Sequence, residues 1–206
     1  MQAAPLQAAT LRYAGRMTRS KRAALAAILL FVAVACLLWA MGRPPICTCG
    51  SLDLWGQVGP EQSQMFADWY SPSHFIHGLI FYALLWRFAR NLPDRVGQPV
   101  ERRFLIALVV EAAWEIVENT PLIIDRYREA TMALGYTGDS IVNSVSDIAM
   151  MALGFLAARW LPLWVSVALA IGFELLTLIV IRDNLTLNVW MLLAPNDAIR
   201  AWQAGA

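Results

Sequence analysis

Three glutamates, Glu111, Glu115 and Glu118, stand four and three residues apart inside an apolar stretch. At about 100° per residue a helix gathers them within an arc of roughly 60°, so all three carboxylates share one face. A second apolar stretch carries Asp139, Asn143 and Asp147, spaced by four and four and accompanied by Ser140, Ser144 and Ser146. That face drifts by about 80°. A third stretch opens with His74 and His77, whose spacing of three lets both imidazoles approach one point. A fourth holds Glu174 near its middle.

Carboxylates packed together repel and need compensation. A divalent cation held by His and carboxylate ligands is one solution, shared protons are a second, and Arg126 or Arg128 folding back is a third. Imidazole with carboxylate suits Zn, Mn or Fe, whereas an all-oxygen subset suits Mg or Ca. The candidate metal ligands are His74, His77, Glu115, Glu118, Asp139 and Asp147, and the pair expected to matter most chemically is Glu115 with Asp147. Cys47 and Cys49 form a separate Cys-Thr-Cys-Gly element. It is open to a disulfide within or between chains, a soft-metal site, or free thiols.

The elements that must position these groups are membrane helices. Of the 206 residues, 59% are hydrophobic and 15% charged, with a mean hydropathy of +0.53, far from the balance of a soluble domain. Apolar stretches predict an all-α bundle of about five spans over residues 23–41, 74–90, 104–124, 140–160 and 163–181, since about 20 apolar residues cross a bilayer core. Residues 1–22 form a basic tail and residues 182–206 an interfacial one. The connection between the first two spans is the longest, rich in Pro and Gly, with Trp55, Phe66, Trp69 and Tyr70 suited to the headgroup level.

Orientation follows from positive charge. Arg12, Arg16, Arg19, Lys21 and Arg22 precede the first span, and Arg87, Arg90, Arg95, Arg102 and Arg103 surround the second connection. Both are expected in the cytoplasm. The alternate connections balance Arg43, Arg126 and Arg128 with acids and face outward. The first apolar run is read as an uncleaved anchor, because it is longer than a signal-peptide core and Gly42-Arg43-Pro44-Pro45 offers no small-x-small site. The formal net charge of +1 gives no reason to expect a nucleic-acid partner; membrane lipids are the expected surroundings.

At 1.5 Å per residue, Glu115, Asp147 and Glu174 fall at similar depth, with His77, Glu118, Asn119, Asn143 and Asp139 between them and the outer surface. Acids at that depth are costly and face the bundle interior. The expected arrangement is a polar cleft open to the outside and closed toward the cytoplasm.

Pro45-Ile-Cys-Thr-Cys-Gly50, Asp68-Trp-Tyr-Ser-Pro-Ser-His-Phe-Ile-His-Gly78, the run from Glu111 to Arg128, Gly138 to Asp147, and Arg182-Asp-Asn-Leu-Thr-Leu-Asn188 carry a resemblance. Over most of its length the chain resembles an uncharacterised family of multi-pass inner-membrane proteins of alpha-proteobacteria. The resemblance implies a bacterial inner membrane, with the outward side periplasmic, and brings no activity. A shorter likeness of the Glu-rich span to VanZ-like membrane proteins transfers no role. Two functions are expected of such a cleft: a metal-dependent hydrolase or transferase acting on a lipid or lipid-linked headgroup, or ion- or proton-coupled transport or sensing. A purely structural membrane component is the third reading.

Overall fold

The computed structural model describes residues 3–89, 100–131 and 135–205, with side chains described from residue 20 onward. Arg90 and Arg95 lie outside the described residues, as do the side chains of Arg12, Arg16 and Arg19. Among the described residues the chain is all helical: α1 (Ala3–Ala40), a 3-10 turn (Gln62–Gln64), α2 (Ser71–Ala89), α3 (Val100–Glu118), α4 (Pro121–Ala130), α5 (Ile141–Trp160), α6 (Leu163–Ile181), α7 (Leu185–Leu193) and α8 (Asp197–Ala204).

Among the described residues, three segments are long and apolar enough to cross a membrane: Ser20–Ala40, Ile141–Trp160 and Leu163–Ile181. The outward surface of the protein is apolar to match. Leu29, Trp39, Trp164 and Ile179 are all exposed, while Glu111, Glu115, Asn143 and Asp147 are buried. This polarity is the reverse of a soluble fold, in which large exposed apolar surfaces are rare, and it associates the chain with a membrane. α2 and α3 have 19 residues each; His74 of α2 and Glu111 and Glu115 of α3 are buried, whereas Arg87 and Arg102 are exposed.

The apolar core joins Val34 and Leu38 of α1, Ala107, Leu108 and Ala112 of α3, and Ile148, Met151 and Phe155 of α5. α2 and α5 approach so closely that only glycine fits where they cross. A Cβ on Gly78 would collide with the backbone of Met151 and Phe155, and one on Gly154 with the carbonyl of Phe75. That approach brings the histidines of α2 against the acids facing α5.

The stretch predicted to span residues 104–124 ends sooner, at Glu118. Pro121 disfavours helical backbone at the residue before it; Thr120 is accordingly extended, with ψ 152°, and Pro121 starts α4 as its first residue. The segment after Ile181 is helical, and Glu174 explains why. Its carboxylate accepts the backbone N–H of Leu185 at 2.9 Å and of Thr186 at 3.2 Å, capping α7 together with Asn184, whose side chain accepts the N–H of Leu187. Glu174 therefore serves α7 and does not join the other acids. Glu174→Ala is expected to lower thermal stability in detergent by about 1–2 kcal/mol, the size of a lost cap, without altering any bound ion; a loss of ion binding would contradict this assignment.

The long connection, expected to lie against the outer leaflet, folds over the N-terminus of α5. The N–H groups of Ser140, Ile141 and Val142 donate to the carbonyls of Ser63, Pro44 and Pro45. Gln64 Nε2 donates to the Gly138 carbonyl at 2.8 Å, and Asn143 Nδ2 to that of Met65 at 3.0 Å. Cys47 and Cys49 are joined by a disulfide, with Cα atoms 5.1 Å apart.

Candidate functional site

The site forms where the N-termini of α2 and α5 meet the C-terminus of α3. His77 lies six residues inside α2, Glu111 seven residues before the end of α3, and Asp147 six residues inside α5. Each is thus about 10 Å inside the same end of the bundle. The i, i+3 spacing of His74 and His77 brings both imidazoles onto one carboxylate. His74 Nδ1 lies 2.7 Å and His77 Nδ1 3.0 Å from Glu111 Oε1.

His74 is the hub. Its Nδ1 also lies 3.5 Å from Glu115 Oε1, and its Nε2 lies 3.8 Å from Asp147 Oδ2. Glu115 and Asp147, on different helices, are therefore held on two sides of one imidazole. Asp147 is fixed in turn by the Ser71 hydroxyl, which donates to Oδ1 at 3.1 Å. His77 stacks on Phe81, with ring centroids 5.9 Å apart.

In this constellation, among the described residues, two trios of side chains offer ligand atoms within 4.8 Å of one another, His74, His77 and Glu111, and His74, Glu115 and Glu118; Glu61 with the disulfide-bonded Cys47 and Cys49 makes a third group elsewhere. The first two share His74. Glu115 is 0% exposed, and both of its carboxylate oxygens are buried without a hydrogen-bond partner. A buried carboxylate left without donors is costly, and a native one calls for a proton, an ion or another unseen partner.

Asp139 belongs to a separate layer beside this centre. Its carboxylate accepts from Asn119 Nδ2 at 2.8 Å and from the Tyr136 hydroxyl at 2.9 Å, and its own N–H donates back to Asn119 Oδ1 at 2.8 Å. Burial pushes its pKa up to about 6 against the lowering effect of those hydrogen bonds. Asp68, fully buried, accepts the N–H groups of Tyr70 and Ser71; burial raises its pKa despite them. Arg126 and Arg128 do not compensate the acids of the cleft, and Arg128 Nη1 lies instead 3.4 Å from Asp125 Oδ1. The Nε atoms of the two arginines donate to the carbonyls of Leu192 and Tyr136.

A cavity of about 590 Å³ opens onto this constellation, with His74, His77, Glu111, Glu118, Asp139 and Asp147 in its walls. Of the candidate ligands, His74, Glu115 and Glu118 form one trio, His77 reaches the same centre through Glu111, Asp147 stands behind His74, and Asp139 is bound by Asn119 and Tyr136. Glu111 and Asp68 were not among the candidate ligands. Periodicity placed Glu111 on the right face but could not say which turn of α3 meets the histidines. Asp68 sits in a connection whose inward fold carries no periodic signal.

The family described as a protein of unknown function (DUF2585) matches residues 38–205. The chain is 55% identical over 179 residues to a UPF0314 protein of Paracoccus denitrificans, covering 86% of this chain and 89% of that one. It is 56% identical over 185 residues to a UPF0314 protein of Sphingopyxis alaskensis, covering 88% and 94%. A third UPF0314 protein, from Novosphingobium aromaticivorans, is 48% identical over 198 residues, covering 92% and 96%. No solved structure matches.

Proposed function

We propose that this chain, which belongs to the DUF2585 family of proteins of unknown function, is a five-span inner-membrane protein whose periplasm-facing cleft holds a divalent cation and acts on a lipid headgroup. The observation that carries this reading is Glu115, fully buried beside His74 with neither oxygen hydrogen-bonded. A cation bound by His74 Nδ1, His77 Nδ1, Glu111 and Glu115 would supply the missing partner. Tetrahedral ligation at about 2.0–2.1 Å puts neighbouring ligand atoms about 3.3 Å apart, and the separations of 2.7, 3.0 and 3.5 Å around Glu111 and His74 bracket that value.

The surroundings fit a ligating histidine. With Nδ1 on the cation, His74 Nε2–H points to Asp147, the carboxylate support that metal-bound imidazoles commonly have. Asp147 on this reading orients His74, and Glu118, in the cavity wall, is the group placed to accept a proton. A divalent cation that takes water as a fifth ligand beside these four would activate it for hydrolysis or transfer of a headgroup. The apolar cluster of Leu108, Met151 and Phe155 supports a cleft closed on the cytoplasmic side in preference to a transport path.

Two measurements test the reading. Elemental analysis of detergent-purified protein is expected to find about one equivalent of a transition-metal ion per chain, lost in Glu115→Gln; trace metal indifferent to that substitution overturns it. For topology, green fluorescent protein fused after Ala206 is expected to stay dark and alkaline phosphatase there to be active, because folding of the former and oxidation of the latter report opposite sides. A bright fusion would remove the odd number of spans.

A further inference from the structure

The walls of the cavity divide by chemistry. Part of the lining is apolar, with Val110 and Trp114 of α3 and Val189 and Leu192 of α7. Val110 is 47% and Val189 44% exposed, so this part reaches the apolar surface of the bundle. Much of the rest is acidic and aromatic. None of the described side chains lining the cavity is Lys or Arg, and the nearby Arg43, like Arg126 and Arg128, is turned to backbone carbonyls, those of Thr137 and Asp139.

We infer that the occupant is a phospholipid whose headgroup ends in an ammonium, with its chains leaving between Val110 and Val189 and its ammonium held by Asp68 and Asp139. The inference rests on the proposed cation in one respect, the position of the phosphate. In a lipid of the outer leaflet the order from the bilayer outward is chains, phosphate, ammonium. The cleft has the last two in that order: the His74 and Glu111 centre lies inside the helix ends, and Asp68 and Asp139 lie beyond them, while Val110, next to Glu111 in α3, puts the apolar lining level with the centre, where the chains would leave sideways. Asp139 accepts one hydrogen bond on each oxygen and so keeps a lone pair on each for a further donor. Tyr70 and Tyr136, also in the wall, add ring faces of the kind that attract cations. A headgroup with a phosphate and no cation would bring a net negative charge among six lining carboxylates, Asp68, Glu111, Glu118, Asp139, Asp147 and Asp183.

The test uses the full chain, purified in detergent, stripped of lipid and offered equal amounts of phosphatidylethanolamine and phosphatidylglycerol with identical acyl chains. Retained lipid is read by native mass spectrometry and metal content on the same samples. A preference for phosphatidylethanolamine of roughly tenfold is expected, the scale of a charge-assisted hydrogen bond, and it should narrow in Asp139→Asn. Equal retention, or a preference for phosphatidylglycerol, overturns the inference with no substitution needed. Soluble glycerophosphoethanolamine that displaces the lipid at equal concentration would overturn the membrane source. The ethanolamine preference in protein that never holds metal would sink the cation reading and leave the headgroup assignment standing. Stoichiometric metal with a phosphatidylglycerol preference would do the reverse.

Discussion

Protein carrying His74→Ala is expected to bind no divalent cation at concentrations that saturate the unaltered chain, while remaining folded in detergent. His74 is common to both trios of the cleft, so its removal leaves one with no imidazole and the other with His77 and Glu111 alone, and takes away the ring that stands between Glu111 and Glu115. Asp147→Asn should be milder, lowering affinity by roughly 10–100-fold, because Asp147 orients the imidazole without touching the ion. Titration with a chelator of known affinity measures both. The ordering matters more than either value: if Asp147→Asn costs as much as His74→Ala, then Asp147 is itself a ligand. If both substitutions lower the unfolding temperature and leave ion content unchanged, the constellation is structural.

A second large effect is expected at the α2–α5 crossing. Leucine at Gly78 has no space to enter, because the atoms in its way are the backbone of Met151 and Phe155, which cannot swing aside as a side-chain tip can. Overpacking of side chains costs about 1–3 kcal/mol; here the helices themselves must part, so Gly78→Leu should exceed that range. The expected readout is loss of the monodisperse peak in size-exclusion chromatography. Gly172→Ala is the control, since a Cβ there meets nothing within 4 Å and alanine favours the helix by about 1 kcal/mol over glycine. A Gly78→Leu protein as stable as the control would mean that α2 and α5 do not cross at this point.

Much of this architecture is written in local pattern, and the limits of local pattern are equally visible. Residues 163–181 form a run after a proline whose polar interruptions are Ser166, Glu174 and Thr177, and α6 has those bounds. The helix over 141–160 follows from Ser140, whose hydroxyl accepts the N–H of Asn143. His74 and His77 could be assigned to one point from their spacing alone. Partner choice could not, because a helical face is a stripe and its match to another stripe depends on how far each helix slides. That is why Glu111, a turn away from Glu115 on the same stripe, became the common partner of the histidines. Glu174 marks a different limit. Its depth matched that of Glu115 and Asp147, but depth says nothing about direction around the bundle, and the side chain points to α7. The inward fold of the long connection depends on hydrogen bonds between distant carbonyls and amides, for which no periodicity exists.

Those distant bonds bear on when the cleft can exist during synthesis. The bonds at the start of α5 join it to the segment just after α1, and Arg43 reaches Thr137, 94 residues further along the chain. Until α5 has been inserted, Gln64 has no Gly138 carbonyl to hold, His74 has no Asp147 beside it, and the α2–α5 crossing is unmade. A nascent chain that stops after α3 already owns His74, His77, Glu111 and Glu115, yet it lacks the neighbour that fixes their geometry. The arrangement of these side chains therefore needs the fourth long helix, α5, and a copy truncated before it cannot form the α2–α5 crossing or the bonds to Asp147.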